Sequence, residues 1–248
     1  MPRGLLTRTP RRFGAALVAA VVLVAALGAC AGRPRPVAAA RTAEAGPGRA
    51  LFSTIPCAET PLGREWSRLR REAEARFPGL SLTRVEDLHI TIVYIGEGWR
   101  VDDLDPIRAH SLVGPREPVS FRPEVVRFGR NNQVVVVELH GAPESWLASI
   151  VAEKDTLNRL GLKRPESYDA AFRPHVTLAS ARRSPPDSAD ASALGEFRSW
   201  LAQRVVADEG RFAVTVDPDT PIRLWLAGTA RPPGAAAFVD LADYLARP

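Results

Sequence analysis

Two triplets of the form His-x-Thr, His89-Ile90-Thr91 and His175-Val176-Thr177, are the residues of this sequence best suited to chemistry. With four histidines and twelve threonines in 248 residues, chance supplies well under one such triplet. Residues two apart on a strand share a face, so each imidazole would stand beside a hydroxyl over one patch of surface. An unperturbed histidine titrates near ~6.5, which lets one ring be neutral while another is protonated near neutrality. In-line displacement at phosphorus needs a base at the entering oxygen and an acid at the leaving one, and two imidazoles can supply both. Threonine hydroxyls can donate to the non-bridging oxygens as their charge grows. Arg173, Arg182 and Arg183 are candidates for holding phosphate charge more strongly. The remaining histidines, His110 near a helix end and His140 at a strand end, read as structural. There is no His-x-His, no His-Glu-x-x-His and no paired-cysteine spacing, so no metal or other cofactor is expected.

Those side chains need strands to hold them. Leu88 to Ile95 alternates, with His89, Thr91 and Val93 on one face and Ile90, Ile92 and Tyr94 on the other. Phe172 to Ala179 sets His175 and Thr177 against Val176 and Leu178. Ahead of the first motif, Ala50 to Ile55 predicts a buried strand, and Pro61 to Phe77 a helix burying Leu62, Trp66, Leu69, Ala73 and Phe77, stopped by Pro78-Gly79. Ahead of the second, Gln133 to His140 predicts a strand buried on both faces. A helix from Pro143 to Leu160 follows, with Trp146, Leu147, Ile150, Val151 and Leu157 at helical spacing and Gly161 as its cap. A short helix from Asp105 to about Leu112 and extended chain from Val119 to Phe128 separate the two halves. The rest reads as a loop over Ser184 to Asp190, a helix near Leu194 to Arg204, closing strands at Phe212 to Val216 and Ile222 to Leu226, and a helical turn from Asp240 to Leu245. Each half thus runs strand, helix, strand with His-x-Thr, helix, strand, which predicts a duplication. Two equivalent lobes related by a rough twofold would aim both histidines into one cleft.

The formal charge of +5 sits away from these motifs. Residues 1–48 hold seven arginines against Glu44, leaving 26 basic and 27 acidic residues beyond them. A near-neutral domain gives no footprint for long nucleic acid. Arg3, Arg8, Arg11 and Arg12 precede an uncharged apolar run, Phe13 to Ala29, the layout of an export signal. Leu27-Gly28-Ala29-Cys30 resembles the bacterial lipobox, which implies cleavage before Cys30 and lipidation of that cysteine. Residues 1–29 are then a signal peptide, and residues 30–48, built of Ala, Arg, Pro and Gly, a tether that cannot bury enough surface to fold. Residues 49–248 form one domain, expected as a monomer held to the cell envelope by the lipid and exported to its periplasmic or outer face. Cys57 is left without a disulfide partner and reads as a small strand-end hydrophobe.

The motif regions resemble those of the 2H phosphoesterases, a superfamily that includes RNA 2′,5′-ligase-like proteins and cyclic phosphodiesterases. Arg49-Ala50-Leu51-Phe52-Ser53-Thr54-Ile55-Pro56 is similar to the family's opening strand. Glu86 to Gly96 is similar to its first motif and Phe172 to Leu178 to its second. The resemblance implies an α+β, bilobal, duplicated fold with two antiparallel sheets flanking a central cleft and helices outside. It also implies metal-independent hydrolysis of a cyclic phosphate on a small nucleotide or a short RNA end. By the same resemblance His89 and His175 are acid and base, and Thr91 and Thr177 bind the phosphate. Arg173, Tyr94 and Arg182 are candidate substrate contacts. Two departures stand out: Tyr94 replaces a usual phenylalanine, and Ala179-Ser180 stands where many members carry an arginine. The competing expectation is a lipoprotein of the same fold that binds nucleotides or RNA fragments without turnover.

Overall fold

The computed structural model describes residues 49–129, 131–166, 169–182, 187–228 and 238–246. The expected signal peptide, Cys30, the tether and Arg183 lie outside the described residues.

Two strands of the first half carry its motif. β1 (Arg49–Pro56) leads into α1 (Pro61–Arg76), where the Thr60 hydroxyl caps the helix by accepting from the Gly63 amide at 3.2 Å and Pro61 sits in the first turn. Leu62, Trp66, Leu69 and Ala73 form its buried face, as their spacing predicts. Gly63 is required by contact rather than conformation, since a Cβ there would overlap the carbonyl oxygens of Cys57 and Ala58. A three-residue strand, β2 (Leu80–Leu82), precedes the motif strand β3 (His89–Gly96). The chain then passes through α2 (Leu104–Ser111) and β4 (Val119–Phe128) to β5 (Val134–His140), α3 (Glu144–Arg159) and the second motif strand β6 (His175–Ala181). It closes with α4 (Ser188–Ala207), β7 (Val214–Val216), β8 (Arg223–Gly228), β9 (Phe238–Asp240) and α5 (Leu241–Leu245).

Every strand pairing is antiparallel among the described residues, in the order β7-β4-β5-β6-β3-β1-β8-β9, with β2 on β6. The strands form one path, and the two expected sheets correspond to its halves β7-β4-β5-β6 and β3-β1-β8-β9, joined by a single ladder pair, Ile90 with Val176. Beyond Val176 the free edge of β6 turns from β3 to β2, where Ala179, Ser180 and Ala181 pair with Leu82, Ser81 and Leu80. That divergence separates the halves past the motifs.

The two motif strands share a defect that strict alternation conceals. In β3, Thr54 faces Thr91 but Ser53 faces Val93, so Ile92 is an extra residue. In β6, Val136 faces Thr177 but Val135 faces Ala179, so Leu178 is the extra residue at the same distance from its histidine. A bulge resets which face later side chains occupy. Val93 is consequently buried, and the expectation that it shares a face with His89 and Thr91 is corrected: Tyr94 takes that place, half-buried. The first bulge has its own support, because the Val93 amide donates to the Ser53 hydroxyl at 3.1 Å inside the core. Ser53→Ala would leave that amide without its acceptor. We expect a loss of about 1–3 kcal/mol in urea unfolding, and an unchanged midpoint would refute the role given to the hydroxyl.

The other departures are local. α4 starts at Ser188 rather than near Leu194, because Asp187 caps it by accepting from the Asp190 amide at 2.8 Å ahead of the first buried side chain, Leu194. β6 starts at His175 because Pro174 offers no amide to a ladder, although its carbonyl accepts from Leu139 at 2.8 Å. Cys57 is fully buried, its thiol pushed up to about 12 by desolvation, as suits a packing residue. His110 meets Glu153 at 2.7 Å, and His140 lies 3.0 Å from Glu124.

Candidate active site

The pairing of Ile90 with Val176 places both motifs. Carried one residue to either side, that antiparallel register sets His89 beside Thr177 and Thr91 beside His175. Directly opposed residues on antiparallel strands lie about 5 Å apart at Cα, and diagonal ones about 7–8 Å. The two imidazoles occupy a diagonal and the two threonines the other, a separation that one phosphorus centre can bridge. Ile90, Ile92, Val176 and Leu178 face the core, while His89, Thr91, His175 and Thr177 are half-buried on the opposite face.

Both histidines are oriented by the same device. His89 Nδ1 lies 2.7 Å from the Asp87 carbonyl, and His175 Nδ1 lies 2.8 Å from that of Arg173. A carbonyl can only accept, so Nδ1 carries the proton in each ring and Nε2 is the atom available for proton transfer. The surroundings then differ. His89 lies between aromatic rings, 5.6 Å from Phe52 and 5.3 Å from Trp225, and desolvation drives its pKa down to about 4 against the hydrogen bond to Asp87. The charge of His175 pushes the same way. His175 rests on Phe128 at 4.4 Å and is also lowered by desolvation, but the hydrogen bond to the Arg173 carbonyl and the carboxylate of Glu138 oppose the shift. The expectation that both rings titrate near neutrality is thereby replaced by two depressed, unequal histidines.

Arg173 is at the site but committed. Its guanidinium grips Glu138 through Nε at 2.8 Å and Nη2 at 2.6 Å, and stacks 5.2 Å over the Phe128 ring. Glu138 is 7 % exposed and stands directly across the ladder from His175. The pair acts on His175 through the ring and carbonyl beside it rather than offering a bare cation. Arg182 is exposed and lies five residues past Thr177, about 16 Å along an extended strand. It does not line the cavity described next. Ser180, at the position equivalent to Tyr94, is engaged in the pairings with Ser81 and Val134.

A cavity of about 420 Å³ opens beside the motifs, lined by Thr91 and His175 but not by His89 or Thr177, with Tyr94, Phe128, Lys154 and Phe172 among its other walls. Its walls include residues that a motif search passes over: Phe128 at the end of β4, Lys154 on α3 and Phe172 before the second motif. Signals exist for Lys154 and for Glu138. Lys154 follows Ile150 by four positions and precedes Leu157 by three, so helical spacing alone assigns it to the buried face. Glu138 is an acid inside a run otherwise fit for complete burial.

No family model matches the sequence, and no curated protein matches it. Solved structures do. Escherichia coli LigT complexed with 3′-AMP is 16 % identical, over 78 % of this chain and 95 % of that one, with a TM-score of 0.50. A structure described as a phosphoesterase is 18 % identical over 78 % and 95 %, with a TM-score of 0.49. A protein of Thermus thermophilus is 16 % identical over 77 % and 94 %, with a TM-score of 0.43. Two antiparallel half-sheets joined at their motif strands, together with the likeness to LigT, establish that this chain has a LigT-like fold.

Proposed function

We propose that the chain is a metal-independent phosphoesterase that hydrolyses a cyclic phosphate, a 2′,3′-cyclic nucleotide or RNA end or a related cyclic phosphodiester. The observation that carries this reading is the equivalence of the motif strands: same triplet, same bulge, same Nδ1 bond, meeting at Ile90 and Val176. His89, the more depressed ring, is the base. Its Nε2 takes a proton from water as the water oxygen bonds to phosphorus. The ester bond on the far side breaks, and its oxygen leaves with the proton from His175 Nε2. His89 ends protonated and His175 neutral, and exchange with solvent restores both. Thr91 and Thr177 donate to the non-bridging oxygens throughout. The substrate is a small nucleotide or short RNA end, in keeping with a domain of nearly balanced charge.

Residues 49–248 incubated with a panel of 2′,3′-cyclic nucleotides and short RNAs bearing cyclic ends should release monoesters, and EDTA should leave the rate unchanged. Binding without turnover across the panel would instead establish the non-catalytic nucleotide-binding protein. For location, the reading is of an exported lipoprotein held to the membrane through Cys30. Labelling of the full chain with radioactive palmitate should be abolished in Cys30→Ser, and a labelled variant would refute the anchor.

A further inference from the structure

Lys154 is the least expected wall of the cavity. It is 5 % exposed on α3, faces the compartment that also holds Thr91, Tyr94 and His175, and lies 5.3 Å over the Phe172 ring. Among the described residues its ammonium meets no hydrogen-bond acceptor. The neighbouring Lys163 differs. Its Nζ donates to Asp169 Oδ2 at 2.6 Å and to the Arg164 carbonyl at 2.7 Å. That same carboxylate oxygen accepts from the Glu166 amide at 2.8 Å. Asp169 Oδ2 is thus taken up by Lys163, and Lys154 is a further donor beside Thr91 and His175. A lysine only 5 % exposed, whose ammonium faces the cavity with an aromatic ring as its neighbour, gains from a ligand atom that accepts from it.

We infer that Lys154 is the selecting group of a nucleobase subsite, where its ammonium donates to a ring carbonyl oxygen of the base attached to the scissile phosphate. The inference rests on the phosphoesterase reading and deepens it by naming the preferred substrates, nucleotides whose base carries a carbonyl at the edge that reaches Lys154. The walls argue for a base. Tyr94, Phe128 and Phe172 offer flat apolar surface of the kind on which bases stack. A second phosphate is the less fitting occupant, because the Asp169 carboxylate lines the same cavity with its Oδ1 lacking a hydrogen-bond partner, and it would repel an anion brought to Lys154. A neutral carbonyl meets the ammonium without that repulsion.

Calorimetric titration with 3′-inosine monophosphate and 3′-AMP tests this, because the two purines differ by a carbonyl in place of an amino group. The protein should bind the inosine nucleotide about tenfold or more tightly than 3′-AMP. Lys154→Met, similar in length and uncharged, should erase the preference while changing 3′-AMP affinity little. The comparison in the unaltered protein needs no variant, so a misfolded Lys154→Met leaves the test standing. Equal affinity for the two nucleotides overturns the inference, and it does so alone if cyclic nucleotides are turned over. Adenosine 3′,5′-bisphosphate binding more tightly than 3′-AMP, with Lys154→Met losing only that gain, overturns it in favour of a second phosphate. Failure of all three nucleotides to bind removes both the subsite and the reading beneath it.

Discussion

His89→Ala and His175→Ala should each lower kcat on the best cyclic phosphate by about 10²–10⁴-fold, the usual contribution of a positioned acid or base. Both rings lie half-buried on the cleft face and outside the packed set of Ile90, Ile92, Val176 and Leu178, so folding and unfolding midpoints should change little. Affinity for a product monoester should also persist, since Thr91 and Thr177 remain to hold it. Acid and base act in one displacement, so the double variant should be little worse than the more impaired single one. Thr91→Val and Thr177→Val test the phosphate contacts separately, with losses of about 10²–10³-fold in kcat expected for an oxyanion donor. Wild-type turnover in either alanine variant would end the two-histidine mechanism, whatever the fold.

The candidate site is more legible in the sequence than its surroundings, for physical reasons that individual residues show. Histidine is scarce in this chain, so the recurrence of His-x-Thr at matching places in two halves is informative without any knowledge of contacts. Helix α1 is legible because Thr60, Pro61 and the buried face from Leu62 to Ala73 all act locally. Alternation places Tyr94 on the wrong face because period-two reasoning carries no sign of an inserted residue. The trace of the bulge is a serine, Ser53, on another strand. β2 has only three residues and is held by β6, about a hundred positions later, so no local pattern announces it. The depressed pKa of His89 likewise comes from Phe52 and Trp225, which reach it only through the pairing of β1 with β3 and β8.

The inequality of the two histidines leads to the second large effect, a pH profile of kcat/KM whose maximum lies below the ordinary histidine range. In the free protein the base must be neutral, so activity falls as pH drops through the value of about 4 assigned to His89. The acid must be protonated, so activity falls as pH rises through the pKa of His175, itself held below the ordinary histidine value by desolvation. The charge of His175 disfavours protonation of His89 and so favours a singly protonated pair. Glu138 biases the proton toward His175, which is the form the proposed reaction uses. Glu138→Gln removes that bias and leaves the Arg173 charge, which lowers His175 further, without its partner. The alkaline limb should therefore move to lower pH while the acid limb stays, and activity at pH 7 should fall more than activity at pH 5. Removing Arg173 as well, as Glu138→Gln with Arg173→Gln, should return part of the shift by eliminating the repelling charge. Movement of the acid limb instead would exchange the roles of the rings, making His175 the base. A profile flat between pH 4 and 8 would mean that neither ring's protonation governs the reaction.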